Sequence, residues 1–153
     1  MRVFKSNDGH IMPVKAITAA EQKNAARLFN ICACVAVALM PLIIPVLLWI
    51  AASIFVHASA AHHPNQRVRE YIYPGGYRFY GVVGSLVVLL NFSPQMSKWV
   101  PGVLNFGPLH LPMFWPLVWV LSMLVIIPLG VRDILRANRD NWQDMTVEVE
   151  EHA

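Results

Sequence analysis

Two long stretches without charge dominate this sequence. No Lys, Arg, Asp or Glu lies between Arg27 and Arg67, and none lies between Lys98 and Arg132. A transmembrane helix needs about 20 mostly apolar residues, and both stretches are longer than that. Charged residues make up 14% of the chain, against about 25% in an ordinary soluble domain. The sequence therefore predicts an all-α integral membrane protein.

The first stretch predicts transmembrane helix 1 over residues 28–56. Its roughly 29 residues would reach about 43 Å as one helix, which exceeds the hydrocarbon core of a bilayer. Pro41 and Pro45 are expected to kink this helix. Upstream, Thr18 and Glu21 have the spacing of a capping box, which predicts that a helix starts near Ala19.

The second stretch predicts transmembrane helix 2 over residues 111–131. Trp115 and Trp119 are typical of the interfacial end of a span. Two polar segments flank the two spans. Residues 1–27 form a basic N-terminal segment, and residues 132–153 form a helix followed by an acidic tail.

The connection between the spans, residues 57–110, contains a shorter apolar run. Residues 79–92 follow a predicted turn at Pro74-Gly75-Gly76 and would reach only about 21 Å as a helix, short of the roughly 30 Å core. This length favours a short interfacial or re-entrant helix in the loop of a two-helix hairpin. An arrangement of three transmembrane helices is the alternative.

The distribution of basic residues favours the hairpin. Three crossings would place six Lys and Arg residues on each side, which gives no orientation, whereas two crossings place eight with the termini and four in the loop. Cytoplasmic segments carry the excess of Lys and Arg. We therefore expect both termini in the cytoplasm, residues 57–110 outside it, and a multi-pass protein of a plasma membrane, most simply a bacterial inner membrane.

Aromatic and basic residues cluster before the short apolar run. Tyrosine rings favour the membrane interface, and arginine stems extend from it to water. The cluster is therefore interpreted as an interfacial anchor rather than a nucleic-acid site, with a lipid headgroup or protein partner as the alternative. The predicted interfacial residues are Arg67, Arg69, Tyr71, Tyr73, Tyr77, Arg78, Tyr80, Trp115 and Trp119.

Small residues at helical spacing predict where another helix packs. Gly84 and Ser85 follow Gly81 by three and four positions. Cys34 and Ala38 are four positions apart. Small side chains at this spacing let two helices approach closely in a membrane. These five positions are the candidate partner-packing residues.

The sequence lacks the patterns that accompany catalysis. Neither predicted span has an ionisable residue at its centre, and no nucleophile elbow, phosphate loop or HExxH motif is present. We therefore predict no enzyme activity, no metal and no cofactor. One alternative is a haem b anchor, because His57 and His110 would lie at the same face of a hairpin and two histidines can ligate haem.

The function predicted from these features is a non-catalytic accessory or structural subunit of a larger membrane complex. Its partners would be the lipid bilayer and other membrane subunits or further copies of itself. The alternatives are the haem-binding anchor and a pore-forming or membrane-permeabilising small oligomer.

Overall fold

The computed structural model describes residues 2–5, 11–106 and 109–148, and this part of the chain is mostly helical. The prediction of a helical chain with two or three helices apolar enough to span a membrane is confirmed. α2 and α5 each have the length and composition for a crossing, and α3 with α4 would form a third if this pair, bent by 81°, is one span. The five helices are α1 (Ala19–Ala38), α2 (Ile44–Ala61), α3 (Gln66–Asn91), α4 (Ser93–Trp99) and α5 (Phe114–Arg139).

Two small antiparallel sheets, which were not predicted, flank the helices. One has the order β1-β2-β5, and the other is the β3–β4 hairpin that precedes α5. The start of the predicted acidic tail is thus paired with β2, with Lys15 opposite Val147. The strands are β1 (Arg2–Lys5), β2 (Ile11–Ile17), β3 (Val103–Phe106), β4 (Leu109–Pro112) and β5 (Met145–Glu148).

The capping box at the start of α1 is confirmed. The backbone N–H of Glu21 donates to Thr18 Oγ1 at 3.2 Å, and the backbone N–H of Thr18 donates to Glu21 Oε2 at 2.8 Å. The next N–H, that of Ala19, donates to Asp144 Oδ1 at 2.7 Å. Unpaired N–H groups at the helix start are thereby satisfied, and α1 is tied to the segment after α5.

The prediction of one kinked helix over residues 28–56 is wrong, because this stretch forms two antiparallel helices. A 3₁₀ turn (Met40–Leu42) with Pro41 in its first positions ends α1, and Pro45 lies in the first turn of α2. The rings of Phe29 and Trp49 are 5.3 Å apart, whereas 20 residues of continuous helix would separate them by about 30 Å. Proline both interrupts a helix and suits its first turn, so these prolines join two helices.

The predicted turn at Pro74-Gly75-Gly76 is also wrong, because α3 continues through it. Pro74 lies on the exposed side of α3, while both glycines are buried against its neighbours. A Cβ on Gly75 would lie 2.6 Å from Asn30 Oδ1, and one on Gly76 would lie 3.0 Å from the His57 ring. Packing against α1 and α2 therefore overrides the turn preference of this tripeptide. Residues 79–92 are the second half of a long helix rather than a separate short one.

The long helices α1, α2, α3 and α5 alternate in direction and form a bundle. Trp119, near the start of α5, donates from Nε1 to Val37 O near the end of α1 at 3.0 Å. At the opposite end Gln22 accepts from Asn65 and donates to Gln143 O at 2.8 Å. We call the end with Gln22, where α1 and α3 begin and α2 and α5 end, the basal end. The end with α4 and the β3–β4 hairpin is the distal end.

The outer surface of the bundle is apolar to an extent unusual for a soluble protein. Large side chains such as Leu48, Phe55 and Leu124 are more than half exposed, while Phe29, Val68 and Phe79 fill the interior. Soluble monomers rarely expose a large continuous apolar surface. This distribution is compatible with a multi-pass membrane protein.

Candidate functional site

An ion pair inside the bundle joins α3 to α5. Arg78 Nη2 donates to Asp133 Oδ2, and the side chains are only 19% and 9% exposed. Arg132 donates to the other carboxylate oxygen from Nε at 3.2 Å and from Nη2 at 3.1 Å. Arg78 Nε also donates to the carbonyl of Pro74 at 2.8 Å. One buried carboxylate is therefore shared by two guanidinium groups, which leaves the group with an excess positive charge.

This pair is not evident from the sequence, because Asp133 falls in the polar segment predicted to follow transmembrane helix 2. A signal for its burial was present. Asp133 lies three residues after Gly130 and four before Ala137, and all three are buried on one face of α5. Residues at this spacing share a helix face, so the pattern placed Asp133 on the packed side.

A second polar group lies nearer the basal end. Tyr71 Oη donates to Asp140 Oδ2 at 2.6 Å, and the guanidinium of Arg136 lies 5.7 Å from the centre of the Tyr71 ring. Asn30 Nδ2 donates to the carbonyl of Tyr71 at 3.2 Å. These contacts connect α1, α3 and α5. Trp142 completes the group by donating from Nε1 to Ala137 O at 2.8 Å.

His57 is packed among aromatic rings between α2 and α3. The centre of its ring lies 4.9 Å from that of Tyr73 and 6.1 Å from that of Tyr80. Its Nδ1 atom is buried without a hydrogen-bond partner. The hydroxyl groups of Ser53 and Tyr80 are 2.9 Å apart, which is a hydrogen bond across the same two helices.

The pairing of His57 with His110 is wrong, because the two lie at different ends of the bundle. His57 contacts the helix turn just before Arg78, whereas His110 lies in β4 before Phe114 and bonds Asn105 Oδ1 at 2.6 Å. Phe114 and Asp133, the residue that pairs with Arg78, are about 28 Å apart along α5. The two histidines cannot share a haem iron. Within the described ranges no group of three His, Cys, Asp or Glu side chains is arranged to hold a metal.

The predicted interfacial residues divide into outward-facing and inward-facing side chains. Tyr77 is 73% exposed, and Arg67 is exposed with Nη1 bonded to Asn141 O at 3.3 Å. Four others make the contacts within the bundle that are described above: Tyr71, Arg78, Tyr80 and Trp119. Three are half-buried: Arg69, Tyr73 and Trp115.

The predicted packing residues also divide. Cys34 packs within the chain, because a Cβ on Gly130 of α5 would lie 2.5 Å from its Sγ atom, and Ala38 is half-buried. Gly81 and Gly84 are exposed, with open space where a Cβ would stand. Ser85 Oγ donates to Gly81 O at 2.8 Å.

Comparison with protein families, characterised proteins and solved structures finds no match for this chain. Functional inference therefore depends on the geometry of the chain itself. That geometry offers an internal charged pair and an exposed small-residue face on α3. It also offers an uneven distribution of Lys and Arg between the two ends of the bundle.

Proposed function

We propose that this chain is a small accessory subunit of a membrane complex that binds a partner helix through the outward face of α3. The observation that carries this proposal concerns the distal half of the helix. Every buried residue of α3 lies between Val68 and Phe79. Residues 80–91 continue the helix for three further turns, and none of them is buried.

The composition of this face supports a helical partner. Gly81, Gly84 and Ser85 form its centre, and the exposed Tyr77 and Val88 extend it in both directions at helical spacing. The Ser85 hydroxyl is already bonded to a carbonyl of its own helix, so it does not require a polar partner. Small residues that leave a backbone accessible favour close helix packing in a bilayer.

In the proposed membrane arrangement the four long helices α1, α2, α3 and α5 are embedded in the bilayer. The basal end lies in the cytoplasm. Of the twelve Lys and Arg residues, all in the described ranges, Lys98 alone lies in the distal connection. Eight of the others lie in the N-terminal segment and at the end of α5, and Arg67 and Arg69 lie in the first turn of α3, all near the basal end. Arg78 lies inside the bundle and is paired with Asp133. Cytoplasmic segments carry such an excess. Both termini would then be cytoplasmic, and the membrane we propose is a bacterial inner membrane.

Co-purification tests the partner surface. The tagged full chain is cross-linked in its native membrane, extracted in a mild detergent and measured by size and composition. We expect a particle larger than the chain, and we expect Gly81→Ile together with Gly84→Ile to dissociate it because the side chains would block close approach.

Ala51→Ile is the matched control, because it enlarges an exposed small residue on α2. It should leave the particle intact. Co-expression of two differently tagged copies distinguishes a homo-oligomer from a complex with another protein. A strictly monomeric particle would defeat the proposal, and so would dissociation by Ala51→Ile to the same extent.

A further inference from the structure

Three arginines form a stripe on the exposed side of α5. Arg132, Arg136 and Arg139 are spaced by four and three residues and are all exposed. Toward the distal end the same helix face continues with Val125 and Leu121, both of which are also exposed. Because i, i+3 and i, i+4 neighbours share a face, an apolar track on α5 leads directly to an arginine stripe.

The two carboxylates at this end of α5, Asp133 and Asp140, are both engaged in hydrogen bonds within the chain. Asp133 is buried and bonded to Arg78 as well as to Arg132. Asp140 is half-buried and accepts the hydroxyl of Tyr71. Four arginines, Arg78 included, therefore outnumber two carboxylates at this end of α5, and the exposed charged side chains there are arginines. The exposed face of the α5 end is positive.

Two of the arginines are held in place by the fold. The Arg132 guanidinium makes two hydrogen bonds to Asp133 and still has a 68% exposed side chain. The Arg136 guanidinium lies over the ring of Tyr71. Ordering of long side chains lowers binding affinity, so side chains that are already ordered bind a ligand more tightly.

We propose that this stripe binds the phosphate group of an anionic phospholipid, whose acyl chains lie along Leu121 and Val125. This inference depends on the membrane arrangement proposed above. Arginine forms strong charge-assisted hydrogen bonds with phosphate oxygens. Basic residues next to a span attract anionic lipids. The apolar track beside the stripe matches the acyl chains and selects a lipid over a soluble phosphate.

Lipid binding to the full chain tests the proposal. The protein is purified in a neutral detergent and titrated with phosphatidylglycerol or phosphatidylcholine, and bound lipid is counted by native mass spectrometry. We expect a clear preference for phosphatidylglycerol. Arg132→Gln and Arg136→Gln should each weaken its binding about fivefold, since a basic residue near the surface contributes about 1 kcal/mol.

Lys98→Gln is the matched control, because it removes one positive charge at the distal end. It should leave the preference unchanged, and Arg132→Lys should retain most of it. Equal loss in Lys98→Gln would overturn the proposal, as would full displacement of the lipid by inorganic phosphate. A protein bound at the stripe without any lipid preference would also overturn it.

The two proposals fail separately. Gly81→Ile with Gly84→Ile should keep the lipid preference while losing the partner. Arg132→Gln with Arg136→Gln should lose the lipid preference while keeping the partner. Retained helical circular dichroism in each variant shows that the fold is intact, so a changed readout reports on the altered surface.

Discussion

At the scale of single residues, Asp133 has a larger role in the stability of the fold than its place in the sequence suggests. It stands between Arg132 and Ile134 near the end of a helix, yet it is buried and bonded to two arginines. A buried charge that loses its partner is strongly destabilising, whereas replacement of both charges by apolar groups is often neutral or better. Asp133 and Arg78 therefore act as a unit.

Asp133→Ala should lower the free energy of unfolding by about 3 kcal/mol, because it leaves Arg78 mostly buried without its carboxylate. Arg78→Met combined with Asp133→Leu should recover most of that loss. Denaturant titration in detergent, followed by tryptophan fluorescence, measures both. Arg139→Gln is the control and should change little, because its side chain is exposed on the same helix. An unchanged Asp133→Ala protein would show that the pair contributes nothing to stability.

Two glycines of α3 should respond oppositely to the same substitution. Gly75→Ala brings a methyl group to 2.6 Å from Asn30 Oδ1, and such overpacking destabilises by about 1–3 kcal/mol. Gly84→Ala meets open space, and alanine favours a helix over glycine by up to about 1 kcal/mol. Thermal unfolding of the isolated chain compares them. Equal effects at the two sites would refute the packing of Gly75 against α1.

At the scale of elements, the turn between α1 and α2 depends on an unusual backbone. Ile43 has φ 61° and ψ −54°, a region that residues with a branched Cβ rarely occupy. Its N–H donates to Met40 O at 2.9 Å, which closes the turn. The short reversal between the helices is therefore made with local strain.

Ile43→Gly should stabilise the chain by about 1 kcal/mol, because glycine adopts a positive φ without strain. Ile44→Gly is the neighbouring control. Ile44 begins α2 with an ordinary helical backbone and a similarly exposed side chain, so glycine there should destabilise. Unfolding midpoints of the two variants decide the matter, and a loss of stability in Ile43→Gly would count against strain at this turn.

The elements differ in how far their sequences reveal them. The Thr18–Glu21 capping box is local chemistry, and it predicted the start of α1 correctly. Pro41 does not reveal whether the helix kinks or the chain reverses there, because apolar residues on both sides are compatible with either. Gly75 and Gly76 misled for a different reason. Their helical conformation is fixed by side chains on α1 and α2, which are far away in the sequence.

At the scale of the whole molecule, labelling of introduced cysteines distinguishes the possible membrane arrangements. In a background with Cys32 and Cys34 replaced by alanine, we expect Gln95→Cys to react with a membrane-impermeant maleimide in intact cells. His62→Cys should react only after permeabilisation, because the α2–α3 connection lies at the basal end.

The two other arrangements give different patterns. With the N-terminus in the cytoplasm, a two-span hairpin exposes both positions outside the cell. Three crossings over residues 28–56, 79–92 and 111–131 expose His62→Cys and keep Gln95→Cys inside. Labelling of His62→Cys in intact cells would therefore refute the four-segment arrangement. The charge-free lengths that predicted an apolar helical protein do not discriminate among these patterns, because they do not report which helices run antiparallel.

The α1–α2 reversal bears on how such a chain enters a bilayer during synthesis. No charged residue lies between Arg27 and Arg67, so in the proposed arrangement the two helices can be inserted together, with their polar ends remaining on the side where they were made. Translocating a charge is expensive, about 2.5–3.5 kcal/mol for Lys or Arg at the centre of a span. Among the described residues Lys98 is the one charge that must make that passage.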